Sequence, residues 1–177
     1  MLDDALLVDD LVVLGNSCPD IIGDQRITVC TAGFSRSNGL IRIYPVPPQS
    51  DMKRWNIVEV PLERNAQDTR QESWKIQGSK TEWNRIAGKI ILKGKVARNE
   101  QDNLLDELHR RFGQGCVEDL NDKQMSLGMI KPKILGYKLE RRKDYEPTVQ
   151  ARLGGFSPFF TIKNYPYKPV IQYRCPE

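Results

Sequence analysis

The chain has 177 residues, 39% hydrophobic and 28% charged, enough for one domain or two small ones with a buried core and too apolar for bulk disorder. Its longest apolar runs, Ala5–Val8 and Leu11–Leu14, fall far short of the roughly 20 residues that span a bilayer, and the acidic start Met1-Leu2-Asp3-Asp4 lacks the basic region of a secretory signal. The net charge of +4 is uneven: residues 1–24 carry six acids and no Lys or Arg, whereas residues 123–177 carry 11 basic and 4 acidic residues, a balance compatible with an anionic partner such as nucleic acid.

Short β-type segments separated by turn residues dominate. Leu11–Leu14 reads as a strand ending at Gly15-Asn16-Ser17, although Leu2–Leu14 could begin as a helix. Ile27–Thr31 alternates and is rich in β-branched residues, which suit a pleated, half-buried surface. Asn38-Gly39 then supplies the positive φ angles of a tight hairpin turn, and Leu40–Tyr44 is the return strand, stopped by Pro45 and Pro47-Pro48. Ile57–Leu62 puts Val58, Val60 and Leu62 on one face, with Pro61 marking a sheet edge. Ser73–Gln77 and Ile86–Lys93 are weaker strand candidates. One helix follows: Asn99 suits the N-cap with Asp102 at N3, Leu104, Leu105, Leu108 and Phe112 recur at helical spacing, and Gly113 suits a left-handed C′ position. Lys133–Arg141 reads as a strand with Leu135, Tyr137 and Leu139 inward, followed by Phe159–Ile162 and Val170–Arg174. Two small sheet or barrel units result, with a boundary near residues 94–99 or 113–130.

Catalytic signatures are sparse. Cys18, Cys30, Cys116 and Cys175 form no C-x-x-C pair, so reduced thiols are expected, with Cys30 in a strand core. A metal site at Cys175 would need ligands from beyond Glu177. His109 is the sole histidine and reads as an exposed helix residue. No nucleophile elbow, zinc helix or phosphate loop occurs, and Gly154-Gly155 reads as a turn. No cofactor or metal is implied. Glu63, Asp68, Glu72 and Lys75 could suggest a Mg²⁺ nuclease. Yet the spacing Glu72-Ser73-Trp74-Lys75 points Glu72 and Lys75 to opposite sheet faces. Residues 68–73 are more simply a polar loop whose acids pair with Arg64 or Arg70.

Nucleic-acid binding has better footing, because single strands are held by aromatic platforms flanked by Lys and Arg. Such interleaving occurs in Tyr137–Tyr145, with Arg141, Arg142 and Lys143, and again in Lys163-Asn164-Tyr165-Pro166-Tyr167-Lys168. Alternation assigns Tyr137 itself to the core. A lesser candidate combines Arg42 and Tyr44 with Lys53, Arg54 and Trp55.

Several blocks in order resemble a bacterial family. They are Thr28–Gly33, Leu40-Ile41-Arg42-Ile43-Tyr44-Pro45-Val46-Pro47, Asp68–Ser73, Ser126–Lys133 and Tyr165-Pro166-Tyr167-Lys168. Together they resemble the dual OB-containing domain family associated with prokaryotic conflict systems. The resemblance implies two OB-like barrels and a nucleic-acid-binding or sensing role without catalysis of its own. Further Cys and His positions follow the last strand in that family, whereas this sequence ends at Glu177.

The resulting expectation is a mainly β, α+β protein with one clear helix and two OB-like β-barrel units, residues 1–98 and residues 99–177. Its expected role is non-catalytic binding of RNA or DNA, single-stranded, in the cytoplasm. The expected interface is Arg42, Tyr44, Arg141, Arg142, Lys143, Lys163, Tyr165, Tyr167 and Lys168. The rival is an adaptor whose sheet edges and acidic residues 1–24 dock on a catalytic protein partner.

Overall fold

Alternating apolar residues in the first 80 positions build a closed barrel. A computed structural model describes residues 5–22, 26–79, 82–113, 117–143, 146, 148–151, 160–163 and 165–175. The first strands are β1 (Ala5–Asn16), β2 (Asp20–Ile22), β3 (Arg26–Ser35), β4 (Gly39–Val46), β5 (Asn56–Arg64) and β6 (Ser73–Ile76). Five of them close in the order β1-β3-β4-β6-β5, with β5 pairing back onto β1; only β4 and β6 run parallel. The short β2 pairs with β3 outside this ring. Inward-facing Val8, Leu11, Val13, Val29, Ile41, Ile43, Val58, Val60, Leu62 and Ile76 fill the interior, joined by Trp83 and Ile86 of the single-turn α1 (Trp83–Ile86). Each such side chain contributes about 1.5–3 kcal/mol by leaving water. The fold is thus mostly β with one clear helix, and its first unit is a closed five-stranded barrel.

Local chemistry departs from the sequence expectations at several points. Within Leu2–Leu14 the chain is extended rather than helical from Ala5, the first described residue, because β5 pairs with it from Glu63 onwards. In the β3–β4 hairpin only Gly39 has positive φ, at 74°. Ser35 pairs with Gly39 across a three-residue loop, so Asn38 needs no left-handed conformation. Strand β4 passes Pro45 and pairs Val46 with Val29 before ending at Pro47. Pro61 is not at an edge either. It opposes Leu7 of β1, while its carbonyl accepts from Gln77 N on the other side. On that side β7 (Ile91–Lys95) ends its pairing at Glu59 and β6 begins at Leu62. The missing proline N–H therefore falls in a gap between partners.

The helix is α2 (Arg98–Phe112), two residues longer at its start than expected. Ala97 occupies the N-cap and no side chain caps the helix, so Asn99 lies inside the first turn. Gly113 is extended, with φ −60° and ψ 124°. Glycine serves close approach there, since a Cβ would sit 2.4 Å from the His109 carbonyl oxygen. Leu108 is buried against Phe34 and Leu40 of the β3–β4 hairpin, flanked by Leu104, Phe112, Leu127 and Met129. The Phe112 ring meets Phe34 edge-on at 5.9 Å. The helix thus packs on the outside of the barrel, followed by α3 (Val117–Asp122).

Beyond it, β8 (Lys133–Arg141) pairs antiparallel with β11 (Tyr167–Arg174), and β9 (Thr148–Ala151) pairs with β10 (Phe160–Lys163). Each pair is a two-stranded sheet among the described residues. Gly154 and Gly155 lie outside the described residues, as does Cys116.

Candidate nucleic-acid interface

Two of the predicted basic–aromatic clusters become one in space. Tyr167 is the cross-strand partner of Arg141, Lys168 opposes Glu140, and Arg142 N donates to the Pro166 carbonyl at 2.9 Å. Residues 141–143 and 165–168 therefore form one end of the β8–β11 ribbon, although 21 residues separate them in the chain. Tyr165 is 77% exposed and Tyr167 52% exposed. Glu140 is the lone acid on the two paired strands. It is engaged by Lys138 at 2.8 Å and Lys168 at 3.6 Å, and the Lys138 hydrogen bond holds its carboxyl below the usual range.

The inward assignment of Leu135, Tyr137 and Leu139 is overturned. Tyr137 is 88% exposed and Leu139 is 70% exposed, with Ile134, Leu135, Ile171 and Tyr173 also open. Alternation places Leu135, Tyr137 and Leu139 on a common face; it does not supply a layer to cover it. Tyr137, opposite Ile171, and Tyr167, opposite Arg141, consequently share one accessible face on which successive side chains along a strand are about 7 Å apart. Sequence reasoning excluded Tyr137 from the interface, though its neighbours Lys138, Arg141 and Arg142 carried the signal. Lys163 lies on the other strand pair. It ends β10, paired with Thr148, and its side chain lies outside the described residues.

Arg42 and Tyr44 stand elsewhere, on the outward side of β4. The Arg42 guanidinium lies 5.6 Å over the Tyr44 ring. Its Nη1 donates to Asp68 Oδ2 and to Ser73 Oγ, both at 2.9 Å. Arg70 grips the same carboxylate with Nε and Nη2, each at 2.7 Å. Hydrogen bonds from Arg70, foremost, and from the Ser73 hydroxyl hold the Asp68 carboxyl well below the usual carboxylate range. Partial burial, reinforced by Asp20, raises the Tyr44 phenol. The expected pairing of Asp68 with Arg70 is therefore present. Arg64 instead donates to the Gln71 carbonyl and lies 3.7 Å over Trp74. Cys30 is half-buried rather than in the core, because Val29 and Thr31 take the inward positions of β3. Lys53–Trp55 sits beside β1, with Trp55 N donating to Val13 O and Arg54 4.8 Å over the Trp55 ring.

The acids weighed as nuclease ligands are already engaged. Glu63 pairs with Lys75 at 3.0 Å. Glu72 Oε1 accepts from Ser126 N at 2.6 Å and Ser126 Oγ at 2.9 Å. Among the described residues no group of three His, Cys, Asp or Glu side chains could hold a metal ion. No helix among them is long and apolar enough to cross a membrane.

Residues 8–107 match the family described as Domain of unknown function (DUF8758). The chain belongs to this family. The DUF8758 match covers the barrel from within β1 and continues into α2, stopping before the β8–β11 ribbon. No curated protein and no solved structure matches the chain.

Proposed function

We propose that this chain is a non-catalytic nucleic-acid-binding module that holds a single strand along the β8–β11 ribbon. The observation that carries the reading is the pairing of Tyr167 with Arg141, which merges two aromatic–basic segments into one accessible surface. Tyr137, Tyr165 and Tyr167 supply base-stacking faces, while Arg141, Arg142, Lys143 and Lys168 follow the phosphate path. The barrel adds support: its third and fifth strands run parallel and its first closes on its fourth, the connectivity of OB barrels, which commonly bind oligonucleotides. The resemblance to the dual OB-containing family makes a sensing subunit of a bacterial defence assembly the biological setting of this proposal.

Fluorescence anisotropy with single- and double-stranded RNA and DNA tests it. The expected result is binding to a single strand that weakens with salt and persists near about 0.15 M. Absence of binding at low salt overturns the reading.

A second reading, an adaptor for a catalytic protein, is favoured by the exposed apolar side chains Leu135, Leu139 and Ile171. Much of the acidic stretch 1–24 belongs to the barrel and its flanking strand. Residues 5–16 are a barrel strand, and Asp10 accepts the Arg36 N–H at 2.9 Å. Capture of one stoichiometric partner, lost on Leu139→Lys and unaffected by Arg142→Gln, is the result that selects it.

A further inference from the structure

A cavity of about 520 Å³ lies on the barrel between the tip of the β3–β4 hairpin, the loop leading into β6 and the turn after α3. Arg64, Arg70 and Lys123 line it, together with the polar side chains of Asn38, Thr69 and Gln71. We propose that this cavity binds the phosphate group of a nucleotide, free or at the end of a strand. The site is separate from the ribbon and does not depend on the ribbon's role.

Two guanidinium groups at the cavity are fixed before any ligand arrives. Arg70 is clamped from behind by Asp68, which takes its Nε and Nη2 and leaves the Nη1 edge of its five-donor fork outside that clamp. Arg64 lies flat on Trp74 and is tied to the Gln71 carbonyl. A planar guanidinium held this way loses little entropy on binding a tetrahedral oxyanion, and its fork matches phosphate oxygens in pairs. The lining itself carries three cationic side chains, Arg64, Arg70 and Lys123, and one carboxylate. Glu72, the one acid in the lining, is engaged by Ser126. The cavity also falls within the size range of small-molecule sites, about 300–1,000 Å³.

Isothermal titration calorimetry on the full chain tests the assignment with inorganic phosphate, AMP, and a short oligothymidylate carrying either a 5′-phosphate or a 5′-hydroxyl. Binding of AMP identifies a free nucleotide as the source. Binding of the 5′-phosphorylated strand in preference to the 5′-hydroxyl strand, without AMP binding, identifies a strand end. Arg70→Gln is expected to weaken either interaction about tenfold or more. Because that change also strips Asp68 of a partner, Lys123→Gln on the exposed turn is the second variant, with an expected loss of about threefold or more and the unfolding midpoint of both variants recorded alongside. The ribbon variant Tyr165→Ala/Tyr167→Ala keeps AMP binding intact if the two sites are separate. The proposal is overturned if millimolar phosphate and AMP both fail to bind and the 5′-phosphorylated strand binds no better than the 5′-hydroxyl strand, or if both cavity variants bind as the wild type does.

Discussion

The barrel and the β8–β11 ribbon are written in the same alternating grammar, yet they spend their apolar residues differently. In β5 the inward set Val58, Val60 and Leu62 is completely buried, because the sheet curls until β5 meets β1 and every inward side chain faces another strand. In β8 the equivalent set, Leu135, Tyr137 and Leu139, stands in the open. Two strands cannot enclose a volume, so the same period-two pattern yields a platform rather than a core. The difference teaches that alternation selects a face, while closure decides whether that face is structural or available to a ligand.

The sharpest way to break this comparison is truncation at matching positions. Leu62→Ala in the barrel should lower stability by about 2–5 kcal/mol through lost burial and a residual cavity. Leu139→Ala on the ribbon should change it by no more than about 0.5 kcal/mol. Urea unfolding midpoints compare them directly, and equal losses would mean that the ribbon face is covered after all.

Ligand binding should show the reverse asymmetry. Tyr165→Ala/Tyr167→Ala is expected to weaken single-strand binding by about 1–3 kcal/mol per stacked base, with the unfolding midpoint unmoved. Replacing Arg141, Arg142 and Lys143 with Gln should lower the salt slope by about 2, given roughly 0.7 per phosphate contact on a single strand. Retained affinity and slope in these variants would remove the ribbon from the interface.

The ion cluster on the barrel wall sharpens the contrast through pH. Asp68 has a depressed carboxyl pKa in the folded chain, so its stabilisation is fully present above its ordinary value. It drains away as pH falls below about 4 towards the folded value. Asp68→Asn should cost about 1–3 kcal/mol at neutral pH and flatten this acid limb in denaturation profiles recorded from pH 7 to 2. An unchanged acid limb would show that Arg42 and Arg70 do not depend on Asp68. A modest effect belongs to the link between barrel and post-helix turn. Ser126→Ala removes one of two hydrogen bonds to Glu72 and should cost about 0.5–1.5 kcal/mol, without altering single-strand affinity in the same anisotropy assay.

How much was legible follows from the range of each signal. The runs 27–31, 40–44 and 57–62 announce their strands because burial on one face imposes period two locally. Helix α2 is visible from Leu104, Leu108 and Phe112, although its cap is not. Asn99 has the right chemistry, but the strand-to-helix geometry places the first turn two residues earlier. The cluster of Arg42 with Asp68, Arg70 and Ser73 was half legible: the loop acid and its Arg70 partner are close in sequence, whereas Arg42 reaches them through the parallel β4–β6 pairing.

The sequence alone determined the β-rich class, the single long helix, the basic C-terminal third and the segments rich in tyrosine and arginine. Each of these is a property of composition or of short-range periodicity. Only the tertiary structure decided that β1 closes on β5, that Glu72 is committed to Ser126, and that Arg141 faces Tyr167. It also exposed Tyr137 rather than burying it. Strand register and sheet closure depend on contacts between residues far apart in the chain, and no local pattern of side chains encodes which distant strand will arrive, or whether any will.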